Sequence, residues 1–252
     1  VRIVSAVSAA ACGLLVACAA PTPDMKKEAS ARMQMGVTYL EQRNLPAAMR
    51  ELTRAAELDP ENPEIDMTLG LAYKSRGDLE KAEEYMRSAI RKRPDYAEAH
   101  NNLGSLLSLQ GKSDEALREY EKAVANVLYP TPEYAYYNMG QEYVRRNDLG
   151  KAELMYQRAI GLNPSYVAAY RDLAMVQAKR GRWQESARTL ERLVEVAPSD
   201  TGGWMDLGRL YLEMKQPGKA REAFRNALAN TEDPSMRAEI AGYINILEQG
   251  NR

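Results

Sequence analysis

Apolar and small residues recur along the chain with two superimposed periods. Within stretches of about a dozen residues they return every three or four positions, the spacing of one helix face. The stretches themselves repeat. Gly36, Gly70, Gly104, Gly140 and Gly208 are spaced by 34, 34, 36 and 68 residues, and Ala174 fills the missing slot. One position earlier stand Met35, Leu69, Leu103, Met139, Leu173 and Leu207. Twelve positions after the slot stand Ala48, Ala82, Ala116, Ala152, Ser186 and Ala220. Nineteen after it stand Ala55, Ala89, Ala123, Ala159, Leu193 and Ala227. Each unit therefore predicts two amphipathic helices, with small residues where they approach and large ones filling the gaps.

Turn signals punctuate the pattern. Gly77-Asp78, Gly111-Lys112-Ser113 and Asn147-Asp148 separate the two helices and offer N-caps to the second. Pro60, Pro94, Pro164 and Pro198 stop the second helix. Six units follow, at 29–62, 63–96, 97–132, 133–166, 167–200 and 201–234. The fifth, with Ala174, Gln177, Ser186 and Leu193, fits least well. A thirteenth helix is expected over 235–249, within a closing segment 235–252; its Ile240, Tyr243, Ile244 and Leu247 can cover the last unit. One unit cannot bury its own apolar face, so six must stack. A two-residue insertion at Leu128-Tyr129-Pro130-Thr131-Pro132 reads either as a longer turn or as a break between two halves.

This register resembles the tetratricopeptide repeat over residues 29–234. The resemblance implies an all-α, right-handed α-solenoid of six helix pairs with a C-terminal capping helix. It also implies that the first helix of each pair lines a protein-binding groove. The groove positions are then Met33, Met67, Asn101, Tyr137, Arg171 and Met205 in one row, and Asn102 and Asn138 in the next. Leu71, Gln141 and Met175 belong to a third row, and Tyr134 projects one turn before Asn138. Met adapts its shape, Tyr offers rigid amphipathic area, and Asn and Gln can bond an extended backbone. Units one to four are expected to hold an extended segment, anchored by Met67, Tyr134 and Tyr137. Some proteins of this family clamp a C-terminal carboxylate with Lys and Asn. Met33 and Met67 stand where the Lys would be, which argues against that clamp.

The N-terminus has a different character. Ile3 to Ala20 carry no charge and follow Arg2, the layout of a secretory signal. The chain opens on Val1, which leaves the true start open. Leu15-Val16-Ala17-Cys18 resembles the bacterial lipobox. That resemblance implies cleavage of residues 1–17, a diacylglyceryl group on the Cys18 sulfur and an amine acylated with palmitate. Ala19 in place of Asp implies sorting to the outer membrane, on its periplasmic face. Two or more acyl chains make a stable anchor where one is marginal. Residues 18–28, with Pro21 and Pro23, are expected to form a tether.

Chemistry narrows the function further. The chain has 252 residues, 34 Lys+Arg against 35 Asp+Glu, one His and two Cys. The balance gives no basic footprint for nucleic acid. Both Cys fall in the leader, so no metal site and no catalytic triad is expected. His100 is expected to pack between helices. Gly111-Lys112-Ser113 imitates the end of a phosphate-binding loop, but Leu106 stands where its first Gly should be. No enzyme, no cofactor and no small-molecule substrate is expected. Lipobox, tether, six repeats and closing helix together look like the type IV pilus biogenesis/stability family, the pilotins of outer-membrane secretins. The Tyr129-Pro130-Thr131-Pro132-Glu133 junction and Tyr136-Tyr137-Asn138-Met139-Gly140 also look like that family. The resemblance implies a lipoprotein that binds a secretin subunit and supports its localisation and assembly. The rival is a periplasmic scaffold lipoprotein that recruits cell-wall hydrolases, proteases or outer-membrane assembly factors.

Overall fold

A computed structural model describes residues 20–249. Thirteen helices and no strand are found among them. Six antiparallel pairs follow in order: α1 (Pro23–Glu41) with α2 (Leu45–Leu58), α3 (Pro63–Arg76) with α4 (Leu79–Lys92), and α5 (Ala97–Leu109) with α6 (Ser113–Ala125). Then come α7 (Pro132–Arg145) with α8 (Leu149–Leu162), α9 (Val167–Lys179) with α10 (Trp183–Val196), and α11 (Thr201–Glu213) with α12 (Pro217–Ala229). The last helix, α13 (Pro234–Gln249), packs on α12. Its Ile240 is fully buried, and Tyr243 stacks on Phe224 at 4.7 Å.

The two helices of a pair lock at the glycine slot. A Cβ on Gly36, Gly70, Gly104, Gly140 or Gly208 would lie 2.5–2.8 Å from the side chain sixteen residues later: Leu52, Met86, Tyr120, Tyr156 or Phe224. Only a missing Cβ lets these large side chains sit on the partner backbone. In the fifth pair the slot is Ala174 and the residue sixteen later is Leu190, the same side chain as Leu52 in the first pair. The turn within each pair also repeats. Arg43, Gly77, Gly111, Asn147, Gly181 and Lys215 all have φ between 57° and 84°, so every pair turns through one left-handed residue. Asp78 and Asp148 then cap the second helix by accepting from the amides of Lys81 and Lys151, each at 3.1 Å.

Two local expectations need correction. Ser113 does not cap α6; it is the first helical residue, and its hydroxyl donates instead to Glu142 at 2.6 Å. Residues 23–28 are not tether but the first turns of α1. Pro23 sits at the helix start, where its fixed φ is favourable and its missing N–H costs nothing. The Thr22 hydroxyl accepts from the Met25 amide at 3.3 Å. A proline read as a breaker here opens a helix.

Three buried clusters form the core. The first joins Leu52 and Leu58 to Ile65 and Leu69. The second runs from Met67 to Met139, and the third from Ala152 to Ile240. Half-buried tyrosines lie at the seams: Tyr73 packs against the first and second clusters, Tyr136 and Tyr143 against the second and third. The second cluster continues through the insertion, because Tyr129 is buried and α6 packs on α7 as at the other junctions. The insertion is a longer turn.

Candidate functional site

The first helices α1, α3, α5, α7, α9 and α11 share one face, and their side chains join across neighbouring pairs. Lys74 donates to Ser105 at 3.1 Å, and burial pushes the Lys74 ammonium below its ordinary range. Asn138 donates to Asn101 at 3.1 Å. The Tyr137 hydroxyl donates to Asp172 at 2.9 Å and accepts from Gln141 at 3.0 Å. Burial, and then the Asp172 carboxylate, push the Tyr137 phenol well above its usual value. Arg171 bridges Asp200 at 2.8 Å and Asp206 at 3.0 Å. Burial pushes the Asp206 carboxyl up against the pull of Arg171 and Arg209.

Aromatic rings thicken this face at the fourth and fifth pairs. Tyr134 meets Tyr166 edge-on at 5.4 Å, and Tyr137 lies 5.0 Å from Tyr166 and 5.6 Å from Tyr156. Burial raises the Tyr166 phenol to about 12. Tyr166 was not among the expected groove residues. A signal for it exists: Arg93-Pro94-Asp95-Tyr96 and Asn163-Pro164-Ser165-Tyr166 place a tyrosine alike after the proline of two units. Beyond it a cleft of about 400 Å³ opens between α9 and α11. Ala174, Ala178, Leu190 and Leu210 make it apolar, while Arg171 and Arg209 stand with Asp206 and Glu213 around it. In its wall the Ser186 hydroxyl donates to the Ala174 carbonyl at 2.7 Å.

The expected groove row is only partly a surface. Met67 is 4% exposed and Met205 5%, so both are core residues and not anchors. Their row faces the seam with the next pair. An unbranched apolar side chain folds into that seam, whereas Asn101 and Arg171 keep polar ends at the surface. Met33 and Leu71 are half-buried against the first and second clusters. Asn102 turns its amide back onto the Glu98 carbonyl of its own helix at 2.8 Å. The face that remains open carries Asn101, Tyr134, Tyr137, Asn138, Gln141, Arg171 and Met175, with Tyr134 45% and Met175 41% exposed. These residues lie on α5, α7 and α9, that is, on pairs three to five rather than one to four. Cys18 lies outside the described residues, and among these no helix is long and apolar enough to cross a membrane.

His100 packs between α5 and α6, as expected. Its Nδ1 lies 2.6 Å from the Glu119 carboxylate and its Nε2 2.9 Å from the Pro94 carbonyl. Burial alone would raise the Glu119 carboxyl, but hydrogen bonds from His100 and Lys122 outweigh it and hold it at about 2.

The tetratricopeptide repeat profile matches residues 33–96, 67–131 and 137–201, and a second profile of the same description matches 202–233. The chain belongs to the tetratricopeptide repeat family. This tetratricopeptide chain is 26% identical over 146 residues to the type IV pilus assembly protein PilF of Pseudomonas aeruginosa, covering 57% of this chain and 58% of that one. It is 30% identical over 207 residues to the CTR9 homolog of Arabidopsis thaliana, covering 79% of this chain but 19% of that protein. The chain thus spans only part of the curated relatives it matches. Among solved structures, P. aeruginosa PilF superposes with a TM-score of 0.73 at 18% identity, over 87% of this chain and 99% of that one. PilW, described as a widely conserved type IV pilus biogenesis factor, gives 0.72 at 21% identity, over 84% and 98%. These likenesses establish the same solenoid of paired helices.

Proposed function

We propose that this chain is a non-catalytic scaffold of type IV pilus biogenesis. In this reading a lipid on Cys18 holds it at the periplasmic face of the outer membrane. The open first-helix face binds a secretin subunit and supports its localisation and assembly. One observation carries the reading: the superposition covers nearly the whole length of both PilF and PilW, not an arbitrary run of repeats. The PilF sequence match and the lipobox residues Leu15-Val16-Ala17-Cys18 support it. The face suits a polypeptide, because tyrosine rings and a methionine alternate with amide and charged groups along neighbouring helices.

The test is co-purification of the membrane-solubilised chain with the secretin subunit. Tyr134→Ala with Met175→Ala should weaken capture by about tenfold or more, since buried anchors commonly cost ~2 kcal/mol each when truncated. Cys18→Ser should release a folded protein from the membrane fraction. A secretin that never co-purifies would refute the partner. The second reading, a scaffold that recruits other envelope proteins, draws on the breadth of the relatives, which include a CTR9 homolog and an Hsp70-Hsp90 organizing protein of Arabidopsis thaliana. Cell-wall hydrolases or proteases in place of secretin among the captured proteins would favour it.

A further inference from the structure

The cleft between α9 and α11 has a buried base of Ala174, Leu190 and Leu210. Its mouth is open, with Met175 exposed and Ala178 half-buried at the rim. The Ser186 hydroxyl in its wall is already engaged by the Ala174 carbonyl. Two arginines, Arg171 and Arg209, line it, and neither is free. Arg171 bridges Asp200 and Asp206, and Arg209 bridges Asp206 at 3.7 Å and Glu239 at 2.8 Å. Asp172 and Glu213 also line the cleft, and they enter no ion pair among the described residues. Lys179, two turns beyond Asp172 on α9, lies outside the lining. Carboxylates therefore outnumber cations around an apolar hollow.

Asp172 joins this cleft to the tyrosines. It accepts the Tyr137 hydroxyl at 2.9 Å; Tyr137 lies 5.0 Å from Tyr166, which meets the exposed Tyr134 edge-on. Burial first, and the Asp172 charge with it, push the Tyr137, Tyr156 and Tyr166 phenols upward. A half-buried carboxylate beside aromatic rings, with no cation of its own, attracts one from outside. A guanidinium suits this place better than an ammonium, because it stacks on rings, bonds a carboxylate through a planar fork and is less strongly hydrated. The apolar walls next to it suit a leucine-sized side chain. Resting on the reading that the first-helix face binds a polypeptide, we propose that this face selects a segment in which an arginine stands beside a large apolar residue. The guanidinium pairs with Asp172 against the tyrosine rings, and the apolar side chain enters the cleft over Leu190 and Leu210. The ion pairs of Arg171 and Arg209 keep the cleft's own cations from repelling it.

The probe is an acetyl-Gly-Leu-Arg-Leu-Gly peptide carrying tetramethylrhodamine at its C-terminus, titrated with the detergent-solubilised full chain by fluorescence anisotropy. Gln-for-Arg and Glu-for-Arg peptides test the charge, and a Gly-for-Leu peptide tests the cleft. The Arg probe should bind about tenfold or more tightly than the Gln probe, the range of a charge-assisted hydrogen bond. Asp172→Asn keeps the side-chain shape and an acceptor for Tyr137, and should erase that preference with the helical spectrum unchanged. Tyr134→Ala, at an exposed position, should weaken the Arg probe about fivefold and the Gln probe less. Ala178→Phe fills the cleft from its rim and should cancel the advantage of the Leu peptide over the Gly peptide. Equal binding of the Arg and Gln peptides would overturn the proposal, as would no binding at millimolar protein. Tighter binding of the Glu peptide would show that Arg171 and Arg209 recruit an anion, and an Asp172→Asn protein that keeps the Arg preference would place the cation elsewhere; either overturns it. Secretin capture is measured separately. Secretin captured without any Arg preference overturns the arginine site alone, whereas an Arg preference without secretin capture refutes the partner and supports the site.

Discussion

Gly140→Ala adds one methyl group where the fourth pair is tightest. The new Cβ would lie 2.5, 2.7 and 2.9 Å from three carbons of the Tyr156 ring. That ring has little room to step aside: Tyr156 is buried and also packs against Tyr137, one turn before Gly140 on α7. Overpacking of this kind costs ~1–3 kcal/mol. Alanine returns ~1 kcal/mol through helix propensity. The net loss is then about 1 kcal/mol, or roughly 2–4 °C in the melting midpoint of a chain this long. The fifth pair offers a comparison, because Ala174 and Leu190 hold the slot and knob positions there. Gly140→Ala combined with Tyr156→Leu transplants that pairing. The double variant should be more stable than the sum of its single changes by ~1 kcal/mol or more, the coupling expected of side chains in contact. Urea melts followed by circular dichroism give the totals. Amide exchange in α7 and α8 locates the change, which matters because stacked repeats need not unfold in one step. Strict additivity, or a Gly140→Ala protein as stable as the parent, would refute the account of the slot.

Met67→Ala should cost ~2–5 kcal/mol as a core truncation and unfold at lower urea. Met175→Ala, at an exposed position, should change stability by no more than ~0.5 kcal/mol and act only on partner binding. The Glu119 carboxyl titrates lower when folded, at about 2 against an ordinary 4.5, so its stabilisation is full above about pH 4.5 and is lost as pH falls toward 2. The stability gap between the parent and Glu119→Gln should therefore be largest near neutral pH and close in acid, as melts across that range will report.

Much of the solenoid was legible because its determinants are local and repeated. The slots, the small residues twelve and nineteen positions later and the prolines need only counting along the chain. The knobs were not read in advance, although Leu52, Met86, Tyr120, Tyr156, Leu190 and Phe224 recur sixteen positions after each slot. The binding face was harder. Met67, Arg171 and Met205 share one register position, yet the methionines turn inward and the arginine outward. Side-chain chemistry at a seam decides that, not spacing. The acidic residues show the same limit. Glu142 of α7 and Glu153 of α8 are buried. Glu142 is held by Arg145 and Ser113, Glu153 by Arg180 and Arg182. Their partners come from neighbouring turns and pairs that no single helix pattern reveals. The cleft between α9 and α11 lies at the fifth unit, where the pattern marked a weak match without giving its shape.

The tyrosine seams give the molecule a mechanical character. Aliphatic knobs interdigitate and resist sliding, whereas a half-wet aromatic ring can shear across its neighbour while its polar end stays solvated. The cluster boundaries run inside pairs: at Tyr73 the second pair splits between the first and second clusters, and at Tyr136 and Tyr143 the fourth splits between the second and third. Tension along the axis would therefore meet three stiff blocks joined by two compliant hinges. The first-helix face crosses the second hinge, so a pull on one end would change its curvature, and with it the grip on whatever lies there.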